Sequence, residues 1–543
     1  MNWNAAPLPA SQRGKKTMRK LGVLIGINLK ALLSALKMGS GKKAKATGMG
    51  AMILLGVLAV YIAGIYSFTF AMQLSSIGML DYLIPMMAIL GCLLSVVMTV
   101  QAASGFIFSG RDTDLLLSLP VSAFSVMLAR ITALYIENLA FIGLFMLTSG
   151  VAGAVKGLGG VGYYLTLAVG TLLLTFLATM VTMVLSFIAA FVTSRFPNHS
   201  LFSTIIYFAF FLLVMAGSFQ ISNVGGLLLT NKEKFDQILN GALLPFGLLK
   251  KGLDGDLLSL GLLVIVSIVP FLLLVWLFSS RYKQVLSALA SRIVRNDYRL
   301  GALSARGQFS ALFSREVKRY FGCSIYLFNT GFGAVLLLAG AIYGAIMHGK
   351  AEPYLQLMGG MEVVVPIAAI ALGFIVATID TTCVSISLEG KTFWIIKEAP
   401  VQPRAFFGAK VLLNLLIAWP ATLISCLILG IAYGIAPWTV LALAVTLMAL
   451  SLLIALGGLC INLFFPRMDA PNDTIVVKQS ASAFIGVFGG WVPLGAACLG
   501  YLPASHVMGF EVYCLICTVV FLIASAGIWQ WLKNGGVRRL SSI

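Results

Sequence analysis

The chain has 543 residues, of which 60% are hydrophobic and only 10% are charged, and its formal net charge is +19. A soluble protein carries about 25% charged residues, so the composition excludes an ordinary soluble enzyme and indicates a polytopic membrane protein. The apolar stretches run for about twenty residues without alternation, as in membrane-spanning helices and not in the strands of a membrane barrel. The predicted fold class is therefore all-α.

The chain begins with a basic segment and a short amphipathic stretch. Residues 11–20 are rich in Lys and Arg, and the apolar segment that follows is interrupted by Lys30 and Lys37. No cleavage pattern for a removable signal follows this segment. We interpret 20–37 as an amphipathic helix lying along the membrane interface. The alternative is that it forms the start of the first span.

Apolar runs long enough to cross a bilayer occur twelve times along the chain. They cover residues 49–70, 82–106, 124–152, 162–193, 201–221, 257–278, 324–347, 363–386, 406–433, 438–465, 482–501 and 509–532. The sequence therefore predicts about twelve transmembrane helices. Asp380, near one end of the eighth run, is expected at the membrane interface.

The basic residues predict an orientation. With the N-terminus placed in the cytoplasm, 31 of the 37 Lys and Arg residues fall on the cytoplasmic side of this topology. Such a bias follows the positive-inside rule and favours an even number of spans. It also accounts for the net charge without any binding of nucleic acid, and it predicts a multi-pass protein of the plasma membrane with both termini cytoplasmic. Membrane lipids are then expected partners.

Two segments match at an offset of 280 residues. In "GRDTDLLLSLPVS" and "GKTFWIIKEAPVQ", which start at residues 110 and 390, glycine, a cation, two apolar residues and Pro-Val coincide, and Arg130 corresponds to Lys410 farther on. The chain is therefore predicted to hold two parallel six-helix repeats. The first half covers 1–285 and includes the N-terminal interfacial helix, and the second half covers 320–543. A basic cytoplasmic linker with a second interfacial helix, over 286–319, joins them.

The sequence contains no recognisable catalytic or metal-binding constellation. Its three histidines are isolated, and the Cys514–Cys517 pair lies inside an apolar run, where small residues serve packing. The lysine-rich stretch at 38–48 lacks the spacing of a phosphate-binding loop, so we expect no cofactor bound by this chain. Glu137 is the one acid deep inside a predicted span. It is a candidate for the transport pathway, or else for a hydrogen bond between helices.

The two matched segments lie in short cytoplasmic loops of the predicted topology. Each is long enough for a helix of one or two turns, closed by Pro120 or Pro400. Leucine and aromatic side chains on such a helix are typical of a docking site for a soluble partner. A turn that rests on the lipid headgroups is the alternative interpretation.

"FSGRDTDLLLSLPVS" resembles the loop between the second and third spans of type-2 permeases of bacterial ATP-binding-cassette (ABC) exporters, and 388–411 resembles it more weakly. The resemblance implies that both loops are coupling helices, which contact an ATP-hydrolysing subunit. The first would contain Gly110, Arg111, Asp112, Asp114, Leu115, Leu116 and Pro120, and the second Gly390, Lys391, Trp394, Ile395 and Pro400. In the second copy Phe393 and Trp394 replace Thr113 and Asp114, which leaves equal engagement of two ATPases open.

The resemblance implies a permease that is not itself an enzyme. It would move a substrate by alternating access, driven by ABC ATPase subunits, two copies in all, that bind ATP and magnesium. Two other functions stay open at this point. The chain is alternatively an ion-coupled secondary transporter that uses Glu137, or a membrane scaffold that transports nothing. The transported substrate cannot be read from the residues.

Overall fold

The computed structural model describes residues 22–27, 42–103, 107, 122–194, 196, 199–222, 232–280, 284, 307–357, 360–470 and 473–543. Every regular element in these ranges is a helix. Ten of the helices are long and apolar enough to cross a membrane, and eleven if one bent pair counts as a single span. The protein is thus an all-α polytopic membrane protein, as the composition predicted. Within a bilayer only such helices and closed barrels satisfy every backbone polar group.

The chain divides into two compact units, Met1–Leu36 with Met52–Asn296, and Lys37–Ala51 with Asp297–Ile543. The division at 296 and 297 falls inside the predicted linker. The helices up to residue 280 are α1 Lys42–Ser76, α2 Leu83–Ala103, α3 Ala123–Val155, α4 Val161–Ser194, α5 His199–Ser222, α6 Lys232–Asn240, α7 Leu244–Leu253 and α8 Leu257–Ser280.

In the first unit, α2, α3 and α4 pack against one another, and α8 lies against α3 and α4. Asn138 of α3 is fully buried among them. Its amide accepts from the hydroxyls of Ser95 and Thr99 and donates to Thr179 at 3.2 Å. Interhelical hydrogen bonds of this kind help to hold helices together in lipid, where the hydrophobic effect does not drive their association.

The helices of the second unit are α9 Gln308–Gly322, α10 Ser324–Ile346, α11 His348–Leu357, α12 Met361–Val376, α13 Thr382–Ser385, α14 Phe393–Glu398, α15 Pro403–Ala432, α16 Pro437–Phe464, α17 Asp473–Gln479, α18 Ala481–Ala504, α19 Phe510–Trp531 and α20 Val537–Ser542. The central helix is α16, which packs against α12, α15, α18 and α19. Helices α9 and α10 both lie against α15.

The predicted eighth span, 363–386, is wrong as a continuous helix. The apolar helix α12 ends at Val376, and the chain continues as a non-helical turn before the four-residue helix α13. The residues at the break, Asp380 to Thr382, have short polar side chains that bond nearby backbone groups and so compete with helical hydrogen bonding. Among the described residues, the fifth predicted span is represented by a shorter apolar stretch, Ser200–Leu213. The count of twelve spans and the parallel repeat stay predictions.

Candidate functional site

The segment between α12 and α15 of the second unit crosses the end of the bundle in several short pieces. Helix α13 is followed by a 3₁₀ helix, Ser387–Thr392, and then by α14, before α15 begins at Pro403. This region contains the second of the two predicted coupling elements. We call residues 377–402 the broken segment.

Two asparagines from neighbouring helices hold the backbone of the broken segment. The Oδ1 atom of Asn414 in α15 accepts hydrogen bonds from the amide of Thr381 at 2.7 Å and from its hydroxyl at 3.0 Å. The Oδ1 atom of Asn462 in α16 accepts from the amides of Ile386 at 2.8 Å and Ser387 at 3.0 Å. Irregular backbone is tolerated in a membrane protein where the surrounding protein satisfies it in this way.

Asp380, which the sequence predicts at the membrane interface, is buried within the unit. Its residue is 2% exposed. One carboxylate oxygen accepts from the amides of Thr382 at 2.9 Å and Cys383 at 3.1 Å and from the Thr382 hydroxyl at 2.7 Å. The carboxylate packs on the bare backbone of Gly458 in α16 and Gly486 in α18. Asp380 thus binds the first amides of α13 and fixes the break against two helices.

A cluster of five charged side chains joins the broken segment to α9 and α15. Lys410 of α15 is fully buried, and its Nζ lies 2.8 Å from Glu316 Oε1, 3.1 Å from Glu389 Oε1 and 3.0 Å from the carbonyl oxygen of Ser385. Arg315 and Arg319 of α9 bind the other oxygen of Glu389 at 2.5 Å and 2.7 Å. We call Arg315, Glu316, Arg319, Glu389 and Lys410 the ion cluster.

Electrostatics keep Glu389 ionised. Burial raises the pKa of its carboxyl, but the charges of Lys410, Arg319 and Arg315 outweigh burial and hold the pKa at about 2, below the ordinary value of 4.5. Both acids of the ion cluster are buried and bound by cations. Buried charges are tolerated only when they are paired and hydrogen-bonded in this way.

The depressed pKa of Glu389 predicts a pH dependence of stability. A carboxyl whose folded pKa lies below its unfolded pKa stabilises the fold fully above the unfolded value, here 4.5, and this stabilisation is lost as the pH falls towards about 2. We expect the free energy of unfolding in detergent to fall between these two pH values. The Glu389→Gln variant should show a shallower fall over the same interval. If the free energy of unfolding falls equally steeply with pH in the wild type and in Glu389→Gln, the low pKa of Glu389 is wrong.

Helix α14 follows directly from the ion cluster. Gly390, the residue after Glu389, has a φ of +52°, a backbone conformation that favours glycine. Beyond it, Phe393 and Ile396 are 5% and 8% exposed and pack into the unit, whereas Trp394 and Ile395 are 62% and 49% exposed. The helix therefore has one apolar side in the core and an apolar pair on the outside.

The remaining predicted residues of the second element surround α14. Lys391 and Pro400 are exposed. The carbonyl of Pro400 accepts a hydrogen bond from the side chain of Gln308 at 2.7 Å, and the amide of Gln402 donates to the same side chain at 3.1 Å. Helix α9 therefore contacts the broken segment twice, through Gln308 and through the ion cluster.

All the residues of the first predicted element, Gly110, Arg111, Asp112, Asp114, Leu115, Leu116 and Pro120, lie outside the described residues. Glu137 lies within α3 and is half-buried, one position before the fully buried Asn138. Of the two predicted sets, the described residues include only the second. Within the described ranges no group of three or more His, Cys, Asp or Glu is placed to hold a metal ion.

Sequence reasoning missed Glu316, Glu389 and the buried role of Lys410. The predicted topology places Lys410 on the cytoplasmic side, and nothing in its own sequence neighbourhood separates a buried lysine from an exposed one. One signal was available, because Lys410 corresponds to Arg130 at the 280-residue offset. Arg130 is also buried, at 1% exposure, and donates to the carbonyl of Ile107 at 3.1 Å.

The fold and the site define an all-α, multi-pass membrane protein with a discontinuous segment held by buried ion pairs. A comparison with protein-family models, with curated proteins and with solved structures finds no match for the chain.

Proposed function

We propose that the protein is the membrane-spanning permease of an ABC exporter, driven by separate ATPase subunits that dock on coupling helices. The ATPases, two copies in all, would bind ATP and magnesium, and this chain would supply both halves of the transport pathway by alternating access. In this proposal the protein lies in the plasma membrane with both termini in the cytoplasm, as the distribution of basic residues predicts.

The observation that carries the proposal is the exposed apolar pair on α14. Trp394 and Ile395 stand outward from a short helix whose opposite side, Phe393 and Ile396, is anchored in the core. One exposed lysine, Lys391, precedes the helix and another, Lys397, lies in its last turn, at the end of the unit that the positive-inside rule assigns to the cytoplasm. An exposed tryptophan on a rigid helix is the kind of anchor that dominates binding to a protein partner.

The ion cluster supports a mechanical role for this helix. Glu389 lies four residues before Phe393 and is bound by cations of α9 and α15. A force applied to α14 would therefore be transmitted to α9 and to the 30-residue helix α15 together. Packed elements of this kind move as rigid bodies and do not deform gradually.

Two correspondences support a matching first element over 110–120. Helices α3 and α15 begin at residues 123 and 403, the same 280-residue offset as the sequence match. In each, the buried cation, Arg130 or Lys410, donates to a backbone carbonyl in the stretch that follows the preceding span. The proposal assigns the first docking contact to Leu115 and Leu116.

Docking can be tested by co-expressing the permease with the ABC ATPase subunits encoded in the same genome. We expect the two to copurify. Replacing Trp394 and Ile395 together by alanine should lower the copurified ATPase at least about tenfold, because buried aromatic anchors carry most of the energy of an interface. Trp438→Ala is the matched control, since Trp438 is 60% exposed on another helix of the same unit.

The first element requires its own variant, Leu115→Asp with Leu116→Asp. We expect this variant to insert into the membrane and to lose ATPase as well. If neither pair of substitutions changes copurification relative to Trp438→Ala, the docking assignment is wrong. ATP hydrolysis by the purified complex gives a second readout, which should fall together with association.

A further inference from the structure

The second unit contains an apolar slot that the proposed docking surface does not use. Its volume is about 390 Å³, within the range of small-molecule pockets. The walls are formed by α15 and α19, and α16 forms the floor. The lining residues are almost all apolar, and they include Leu412, Leu415, Leu456, Leu522 and Ala526.

One polar group lies among these apolar side chains. The hydroxyl of Ser525 is buried and has no hydrogen-bond partner among the residues that the structure describes. A buried hydroxyl without a partner costs free energy. An occupant of the slot that carries a hydrogen-bond acceptor would remove this cost. A carboxylic ester, at the head of an acyl chain, supplies such an acceptor.

Each of the two walls of the slot carries a cation at the same end. On α15, Arg404 is exposed and lies one helical turn before the lining residue Gly408, hence on the same face. On the other wall, the Lys533 ammonium lies 5.7 Å from the ring of the lining residue Trp529. Both cations lie at the end of the unit that contains the broken segment, since α15 begins at 403 and α19 ends at 531.

We propose that this slot is a binding site for an anionic glycerophospholipid. One acyl chain fills the slot between α15 and α19, the Ser525 hydroxyl donates to an ester carbonyl, and the headgroup phosphate lies between Arg404 and Lys533. Basic residues beside an apolar cleft between spans are the features that retain anionic lipids on the cytoplasmic side of a membrane. Along the slot, the cations, the serine hydroxyl and the apolar side chains thus follow the same order as the phosphate, the ester and the acyl chain of such a lipid.

The headgroup contact is tested by lipid retention. The permease alone is purified in detergent, exposed to an equimolar mixture of phosphatidylglycerol and phosphatidylcholine, and examined by native mass spectrometry. We expect the wild type to prefer phosphatidylglycerol. Arg404→Gln with Lys533→Gln should reduce that preference about fivefold per cation removed. Lys350→Gln removes one exposed lysine beyond the far end of α10; it is the control for losing a cation elsewhere and should leave the preference unchanged.

The acyl-chain contact is tested by filling the slot. Ala526→Phe places a ring in the slot and should lower retention of both lipids, whereas Ile523→Phe, at a 67% exposed position of the same helix that does not line the slot, should not. Both positions are exposed, so the substitutions leave the core intact. The proposal is overturned if the two phenylalanine variants retain lipid equally, or if the double glutamine variant keeps the wild-type preference. No ATPase takes part, so the result is independent of the docking proposal.

Discussion

Replacing Lys410 by methionine is expected to lower the free energy of unfolding by about 3–5 kcal/mol, the cost of removing one partner from a buried ion pair. Lys410 is fully buried and contacts both carboxylates of the ion cluster. Glu389 keeps two arginines, but Glu316 is left with Arg319 at 3.5 Å. The loss arises from a carboxylate held in the core without adequate compensation. Chemical unfolding of the purified protein in detergent measures it.

Two further variants separate this cause from a general effect of losing a lysine. Lys391→Met removes an exposed lysine of the same broken segment, and surface changes of this kind stay within about 0.5 kcal/mol. Adding Glu316→Gln to Lys410→Met removes the uncompensated charge and should restore part of the lost stability. Equal effects of Lys410→Met and Lys391→Met would show that the buried pairs do not stabilise the fold.

The second large effect is expected at Gly458, where α16 meets the break in the chain. A Cβ at this position would overlap the Asp380 carboxylate and lie 2.5 Å from the Thr382 hydroxyl oxygen. Gly458→Ala should therefore lower the free energy of unfolding by about 1–3 kcal/mol, the usual cost of overpacking a well-packed core. The same unfolding measurement in detergent applies.

The neighbouring glycine supplies a matched control. A Cβ at Gly457 meets nothing within 4 Å, so Gly457→Ala should be neutral or stabilise the helix by up to about 1 kcal/mol, since alanine favours a helix more than glycine does. In an Asp380→Ala background, Gly458→Ala should cost less than in the wild type, because the overlap with the carboxylate is gone and only the overlap with the Thr382 hydroxyl remains. If both alanine variants are equally stable in the wild-type background, the close packing of Asp380 on α16 is incorrect.

Most of the fold class could be predicted because it depends on composition and local periodicity. A span in lipid needs about twenty apolar residues in a row, and such runs are visible wherever they occur. The break after Val376 was not visible, because residues 363–386 are apolar enough to be a span. The break depends on Asn414 and Asn462, which belong to other helices and accept hydrogen bonds from the broken segment.

The candidate site divides in the same way. The 280-residue match identified the region around Trp394 and Pro400, but it did not indicate which side chains face outward. Exposure of Trp394 beside burial of Phe393 depends on how α14 rests on the unit. The acids of the ion cluster were missed because their importance comes from distant partners. Glu316 and Lys410 are 94 residues apart in sequence yet bonded at 2.8 Å.

By itself, then, the sequence determined that this is an all-α polytopic membrane protein, and it indicated the segment that begins at Gly390 as a candidate site. The fold class follows from the transfer of apolar side chains into lipid, because each apolar run enters the membrane independently of the others. The segment at Gly390 follows from the match at an offset of 280 residues. Only the tertiary structure decided where the chain leaves the helix at Val376 and that Lys410 is a buried ion partner. It alone also decided that Ser525 of α19 lines an apolar slot between α15 and α19. Each of these depends on groups brought together from separate helices, because pairing and burial are properties of a packed neighbourhood and not of a single residue.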